Sequence, residues 1–429
     1  MAEEIKPVEK PGINPEINPV EMSMAAEINP VENPVDYKPW LDAVWRNDWC
    51  KAKEFLTQHP SAITATDSDG DTALHNAIYK GHEQIVEELV QLMTEEQLET
   101  KNDDGETALT FAAAKNLKIV KCLVAKNKKL LGIADVDQMT PILIAAKNDR
   151  WDIVEELVQL MTEEQLETKN DDGETALTIA AAKNLKIVKC LVAKNKKLLG
   201  IADGYGRTPI VIAANKDRWD IVEELVQLMT EEQLEIQDVV GQTALTIAAA
   251  TNIEMVKCLV AKNKKLLGIA KYSSKMTPIL IAAENHRRDI VRYLYSLTPL
   301  EDLKPDKGSW GSELVICCLR AKQFDIVLEL LDRCPGLGCA KGFESYPIYE
   351  FAFLPSAFPS GTSLKCWQRW IYKCIHVEYA RSVSDVRINV QNQENGQGDQ
   401  RNSTSQTSVY YKDFHRGFQS LWESTAFVI

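Results

Sequence analysis

The chain repeats itself. The phrase IVEELVQLMTEEQLETKNDDGETALT begins at Ile85 and returns from Ile153, and a substituted copy returns from Ile221. Aligned on threonine, the period is finer. Thr72, Thr107, Thr140, Thr175, Thr208, Thr243 and Thr277 follow one another at steps of 35, 33, 35, 33, 35 and 34 residues. The 68-residue block is therefore a pair of units. A unit of this length cannot hide an apolar face alone, so neighbours must stack and share one interior. The repeat thus predicts a solenoid.

Within each unit the residues have separate tasks. Gly70, Gly105, Gly173, Gly206 and Gly241 fall where a hairpin turn needs permissive dihedrals. The threonine is placed to cap a first helix by accepting an orphan N–H. Leu74, Ala77 and Ile78 share one helical face, and Ile85, Val86, Leu89 and Val90 share a face of a second helix. The alanines let helices approach closely. A period near 33 with a T-x-L-x-x-A core resembles the ankyrin repeat. The fullest copy is Asp67-Ser68-Asp69-Gly70-Asp71-Thr72-Ala73-Leu74-His75, followed by Gly81-His82 and Ile85-Val86. The resemblance implies an all-α fold, an ankyrin-repeat solenoid of helix-turn-helix units with hairpin loops. It is expected over residues 37–354, with about nine to ten units whose first and last members are degenerate. Weaker copies open near Lys38, at Ser312 and at Tyr346.

Three departures from the pattern carry expectations. Thr107 to Ile119 is 12 residues, against 13 from Thr72 to Ile85, and the units at Thr175 and Thr243 shorten likewise. Those units lack the glycine between the helices, and Asn116 and Asn184 are expected to supply a left-handed residue there. The motif histidine is kept only at His75, with Thr110, Leu143, Thr178, Val211, Thr246 and Leu280 elsewhere, so its helix-tying bond is expected to be mostly absent.

Charge alternates along the array. TEEQLE at Thr94, Thr162 and Thr230 alternates with KNKK at Lys126, Lys194 and Lys262. Adjacent units are expected to meet with opposite sign, so a slip of one unit would set like charges together. Thr94 and Gln97 form a capping-box phrase, which predicts a short helical turn.

The flanks read differently. Residues 1–36 carry repeated INPE and INPVE phrases, and proline at that density with acidic spacing predicts a disordered arm. Residues 355–380 form a post-repeat junction with a Trp-rich helix containing Trp367 and Trp370, and residues 381–429 a low-complexity linker and mostly disordered tail. The stretch PSAFPSG…WQRWIY resembles the junction of a plant group of ankyrin-repeat proteins that carry a C-terminal PGG membrane domain. That resemblance implies a membrane-associated role in stress or defence signalling. Pro-Gly-Gly and a spanning segment are missing from this sequence.

No catalytic pattern emerges, and the chain is not expected to be an enzyme. His59, His75, His82, His286, His376 and His415 are scattered. His82-Glu83 has no second histidine four places on. Asp67-Ser68-Asp69-Gly70-Asp71 puts its glycine fourth, where a calcium loop needs it sixth. No phosphate-binding glycine loop, nucleophile elbow or kinase phrase occurs. No cofactor, metal or small-molecule substrate is expected. A net charge of −13 repels phosphate, so no nucleic acid is expected either. Cys122, Cys190 and Cys258 recur at one repeat position, as small buried hydrophobes would, and reduced thiols in a cytoplasmic setting are the default. Cys334, Cys339, Cys366 and Cys374 lack zinc-pair spacing.

Other proteins are the expected partners. The ankyrin resemblance implies binding on the concave side, built from hairpin tips and the starts of the first helices. The tips carried over are Ser68, Asp69, Asp71, Asp103, Asp104, Glu106, Asp171, Asp172 and Glu174, then Tyr205, Arg207, Val239, Val240, Gln242 and Lys275. The first-helix positions are Tyr79, Lys80, Lys115, Lys147, Asn148, Lys183, Asn215 and Lys216. The tip row runs from acidic to mixed or basic.

Overall fold

The computed structural model describes residues 35–353; residues 1–34 of the arm, the junction and the tail lie outside them. The described chain is a single file of helix pairs. First helices such as Ala73–Lys80, Ala108–Ala113, Pro141–Lys147 and Ala176–Ala181 each turn back into a ten-residue second helix, such as Glu83–Leu92, Leu117–Lys126, Trp151–Leu160 and Leu185–Lys194. A pair at Lys38–Trp45 and Trp49–Gln58 opens the file, and Trp310–Arg320 with Phe324–Arg333 closes it ahead of a lone helix, Pro347–Ala352.

The core runs the length of the stack as columns. Ala77, Ala112, Ala145, Ala180, Ala213, Ala248 and Ala282 occupy one repeat position, and all are 0% exposed. A larger side chain there would push neighbouring first helices apart, and those helices pack directly on one another. Ile153, Val154, Leu157 and Val158 bury the second helix of the Thr140 unit, and the same four positions are buried in its neighbours.

Two kinds of unit alternate, and the missing residue explains both. The longer units turn between helices through a left-handed residue: Gly81, Asp149, Asp217 or His286, with φ between 54° and 76°. The shorter units omit that residue. Asn116 and Asn184 are extended (φ −141° and −140°), not left-handed as expected, and they cap the second helix. The Asn116 carboxamide oxygen accepts from the backbone N–H of Lys118 and Ile119. The left-handed residue has been deleted, not replaced. The helix-cap position of the longer units then braces the preceding unit: the guanidinium groups of Arg150, Arg218 and Arg287 donate to the carbonyls of Lys115, Lys183 and Thr251.

The first-helix caps also differ from expectation. Thr72, Thr175 and Thr243 accept from the backbone three residues on, but Thr140, Thr208 and Thr277 do not. Those three precede a proline at the first helical position, where its fixed φ suits the helix start, and their hydroxyls are buried with no hydrogen-bond partner among the described residues. Thr107 also lacks the cap bond. The tie at the histidine position is absent where Leu143, Val211 and Leu280 stand, as expected, but survives where threonine does. The Thr178 hydroxyl accepts from Thr175 N–H and donates to Thr175 O, both at 2.8 Å, and Thr246 repeats this on Thr243.

The turns after the second helices alternate as well. Glu95–Leu98, Glu163–Leu166 and Glu231–Leu234 are short helical turns, each with the threonine–glutamine capping box read from the sequence. They face 3-10 turns at Lys128–Gly132, Lys196–Gly200 and Lys264–Gly268. Asparagine makes the closest contacts across this seam. The Asn195 carboxamide N–H donates to Glu163 O at 3.1 Å and to Glu167 Oε1 at 2.8 Å, while its oxygen accepts from Lys197 N–H. Lys197 reaches Glu167 only at 3.8 Å, and Lys194 donates to the Gln159 carbonyl. The closer charge pairs lie on the second helices: Lys118 pairs with Glu83 and Glu87 of the unit before, and Lys121 with Glu156 of the unit after. Asn195 is 2% exposed, so Asn195→Ala is expected to lower unfolding stability by about 2 kcal/mol, read as a shifted urea midpoint. Lys197→Ala is expected to cost under about 0.5 kcal/mol at its exposed site.

Candidate functional site

The hairpin tips are built by one device repeated. In every tip but the one at Lys271, an aspartate or asparagine opens the turn and accepts from the backbone on its far side: Asp67 from Asp69 and Asp71, Asn102 from Glu106, Asp135 from Asp137 and Met139, and Asp203 from Tyr205 and Arg207. The glycines read from the sequence follow, with φ of 73° to 84° at Gly70, Gly105, Gly173, Gly206 and Gly241. Gln138 and Lys275 hold the same left-handed turn without glycine.

Each tip then bonds to the next. Asp103 N–H donates to Asp69 O, Val136 to Asp104 O, Asp171 to Asp137 O, Gly204 to Asp172 O, Val239 to Tyr205 O and Tyr272 to Val240 O, at 2.7–3.3 Å. The result is a staircase of tips in fixed register. The side chains on it can only project outward.

The residues carried over from the sequence divide in two. Ser68, Asp69, Asp103, Asp104, Asp171, Asp172 and Tyr205 are exposed on the staircase. Asp71, Glu106, Glu174 and Arg207 sit lower, half-buried, and brace it. Asn102 donates to Asp71 at 2.9 Å, Asn170 to Glu174 at 3.1 Å, and Arg207 pairs with Asp203 at 2.7 Å. Burial, with repulsion from neighbouring aspartates, pushes the carboxyls of Asp71 and Glu106 above their ordinary range; Asn102 opposes this at both. Tyr79, Lys80, Lys115, Lys147, Asn148, Lys183, Asn215 and Lys216 lie at or just past the ends of the first helices, not at their starts as expected, and are exposed. Lys147 meets Asp172 at 3.6 Å and Glu174 at 3.3 Å, and Lys183 meets Asp149 at 2.9 Å. Among the described residues no lysine or arginine pairs with Asp69, Asp103, Asp104 or Asp171. The acidic character of the first tips is therefore left open to solvent.

Four surface residues escaped the sequence reading. Trp45 stacks on Tyr79 with ring centroids 6.2 Å apart, Lys80 lies over the Trp45 ring at 3.6 Å, and Lys115 over Tyr79 at 4.0 Å. Trp45 belongs to a degenerate unit, so no motif marked its face. Val136, Asp137 and Tyr272 are exposed tip residues. They sit where the turn lacks the glycine that marked the other five tips or is longer by one residue.

Among the described residues no group of three or more His, Cys, Asp or Glu could hold a metal ion. His75 is 1% exposed, and burial pushes its imidazole down to about 4. Its Nδ1 accepts from Thr72 N–H, closing a capping box, so it works as structure. Cys122, Cys190 and Cys258 are half-buried thiols whose acidity burial weakens. Cys366 and Cys374 lie outside the described residues.

Comparison with known proteins agrees with this architecture. A family profile described as ankyrin repeats (3 copies) matches residues 41–133, 89–167, 142–238, 183–268 and 226–306, more than half of the chain in all. Dog (Canis lupus familiaris) inversin is 29% identical over 159 residues, covering 36% of this chain and 15% of that protein. A Caenorhabditis elegans homolog of transient receptor potential cation channel subfamily A member 1 is 24% identical over 187 residues, 44% of this chain and 15% of its own length. Mouse (Mus musculus) inversin is 28% identical over 149 residues, 34% and 14% of the two chains. The chain therefore spans only a small part of these relatives. Shared period, stacked helix pairs and linked hairpin tips lead to one conclusion: the chain belongs to the ankyrin-repeat family.

Proposed function

We propose that this chain is a protein-binding scaffold or adaptor that engages a partner on the concave face made by the hairpin tips and first-helix ends. The observation that carries the reading is the open charge of the first tips. Asp69, Asp103, Asp104 and Asp171 are exposed and have no cationic partner among the described residues, while Lys147 is occupied at Asp172 and Glu174 and Lys183 at Asp149. A partner with basic residues opposite the first half of the face completes what the fold leaves unpaired. Such rim charges act chiefly on association rate and salt dependence.

A partner isolated with the full chain and then purified provides the test. Asp103→Lys with Asp104→Lys and Asp171→Lys is expected to weaken its binding at least ~10-fold, mostly through a slower on-rate, and to flatten the salt dependence. Unchanged affinity in a variant with native circular dichroism contradicts the proposal.

The setting we infer is plant stress or defence signalling, supported by the resemblance of the junction PSAFPSGTSLKCWQRWIY to that of the plant PGG group. The same phrase favours a second reading, a membrane-associated signalling component. No helix among the described residues is long and apolar enough to cross a membrane. Recovery of the expressed full chain in a membrane fraction that resists high salt would favour that second reading.

A further inference from the structure

The staircase holds its tips in register, so the side chains can be read as a column. The residue just before the left-handed one runs Asp69, Asp104, Asp137, Asp172 and then Tyr205, Val240 through the first six tips. The chemistry changes once, between the units of Thr175 and Thr208. Beyond the change the strip is continuous and apolar: Tyr205 is 58% exposed, Val239 63%, Val240 44% and Tyr272 64%. Adjacent tips touch through backbone hydrogen bonds, so these side chains form one ridge, not isolated apolar points. Arg207 lies over the Tyr205 ring at 4.9 Å and is held by Asp203.

We propose that this column is a two-part docking strip for one extended polypeptide segment. The segment is basic over Asp69 to Asp172 and apolar or aromatic over Tyr205 to Tyr272. The proposal rests on the reading that the tips bind a partner, and it specifies that partner's chemistry and order. An extended occupant follows from spacing. Stacked units repeat at about 10 Å, and a chain extended as polyproline II has three residues per turn and rises about 3.1 Å per residue, so every third side chain returns to one face after about 9 Å and meets a tip. A helix rises about 1.5 Å per residue and would meet one tip only every seventh residue. Order follows from charge complementarity: a segment laid the other way would put apolar side chains on open carboxylates and bury ammonium groups against valine and tyrosine. A second copy of this chain fits poorly for the same reason. Its tips bring either aspartate against aspartate or aspartate against the ridge.

The test uses the full chain and fluorescein-labelled synthetic peptides. One set carries lysine at every third position through one half and leucine at every third position through the other, made in both chain directions. The second set has the same residues with lysine and leucine interleaved. The better blocked peptide is expected to bind about 10-fold more tightly than any interleaved one. Asp104→Asn with Asp137→Asn should weaken it about 10-fold and flatten its salt dependence, and Tyr205→Ser with Val240→Ser should weaken it similarly while leaving the salt dependence intact. Equal affinity for the two sets, with both weakened by the aspartate variant, would overturn the strip and leave the basic-partner reading in place. Binding insensitive to both variants, or no binding of the blocked peptides, would overturn both. A dimer of the free chain abolished by Tyr205→Ser with Val240→Ser would overturn the strip in favour of self-association.

Discussion

Gly241→Ala is expected to destabilise the array by about 3 kcal/mol or more, against about 1 kcal/mol for Gly81→Ala. Both glycines are left-handed, with φ of +84° and +76°. An added Cβ at position 81 meets nothing within 4 Å, so only the backbone preference is lost. At position 241 it would lie 2.3 Å from the Tyr272 backbone nitrogen and 2.9 Å from that ring. Backbone cannot swing aside as a side-chain end can, so the step from Tyr272 N–H to Val240 O must open. Urea midpoints of the two variants, measured side by side, check this. Equal losses would mean that the tips do not approach as closely as described. Gly173→Ala, whose Cβ would lie 2.5 Å from Gly204 N, is expected to follow Gly241→Ala.

Acidification is expected to unlatch the amino-terminal end before the middle. His75 titrates near 6.5 in an unfolded chain and at about 4 in the fold, because burial disfavours its charged form. Its stabilising contribution as a neutral cap is therefore complete above pH 6.5. It falls as pH drops from 6.5 to about 4, where the unfolded chain takes up the proton first, and the total loss is on the order of 3 kcal/mol. Asp71 and Glu106 act in the opposite sense. Their raised carboxyls bind protons more readily when folded, so acid relieves repulsion there, and being half-buried they offset only part of the loss. Urea unfolding at pH 7.5, 5.5 and 4, with amide exchange resolved by unit, checks the effect. His75→Gln should be less stable than the parent at pH 7.5 but should lose most of this slope. A slope that survives His75→Gln would assign the effect to other groups.

Much of this fold is legible because the repeat is nearly a copy of itself. The glycines at five tips and the Thr94–Gln97 capping box rest on local backbone rules, and local rules are what a sequence states directly. Asn116 illustrates where legibility stops. Its one-residue-shorter turn was visible, yet two local solutions satisfy it, a left-handed residue or an extended helix cap. Arg150 settles the matter from the next unit by holding the carbonyl of Lys115, a contact between residues 35 positions apart. The staircase is hidden for the same reason. Asp137 and Val136 look unremarkable within their own turn, whose left-handed residue is Gln138, and gain meaning only when Asp104 and Asp171 are seen bonded on either side. Asp71 and Asp69 are equally acidic in sequence, but Asn102 donates to the first and leaves the second open.

The central physical claim is that helix pairs too small to bury their own apolar faces share one interior by lining up in single file. Small-angle scattering from residues 35–353 tests it most directly. Nine pairs at about 10 Å per step make a body about 90 Å long, for which a radius of gyration near ~30 Å and a skewed distance distribution with a long tail are expected. A symmetric distribution with a radius near ~20 Å, the value for a compact domain of this many residues, would contradict the account.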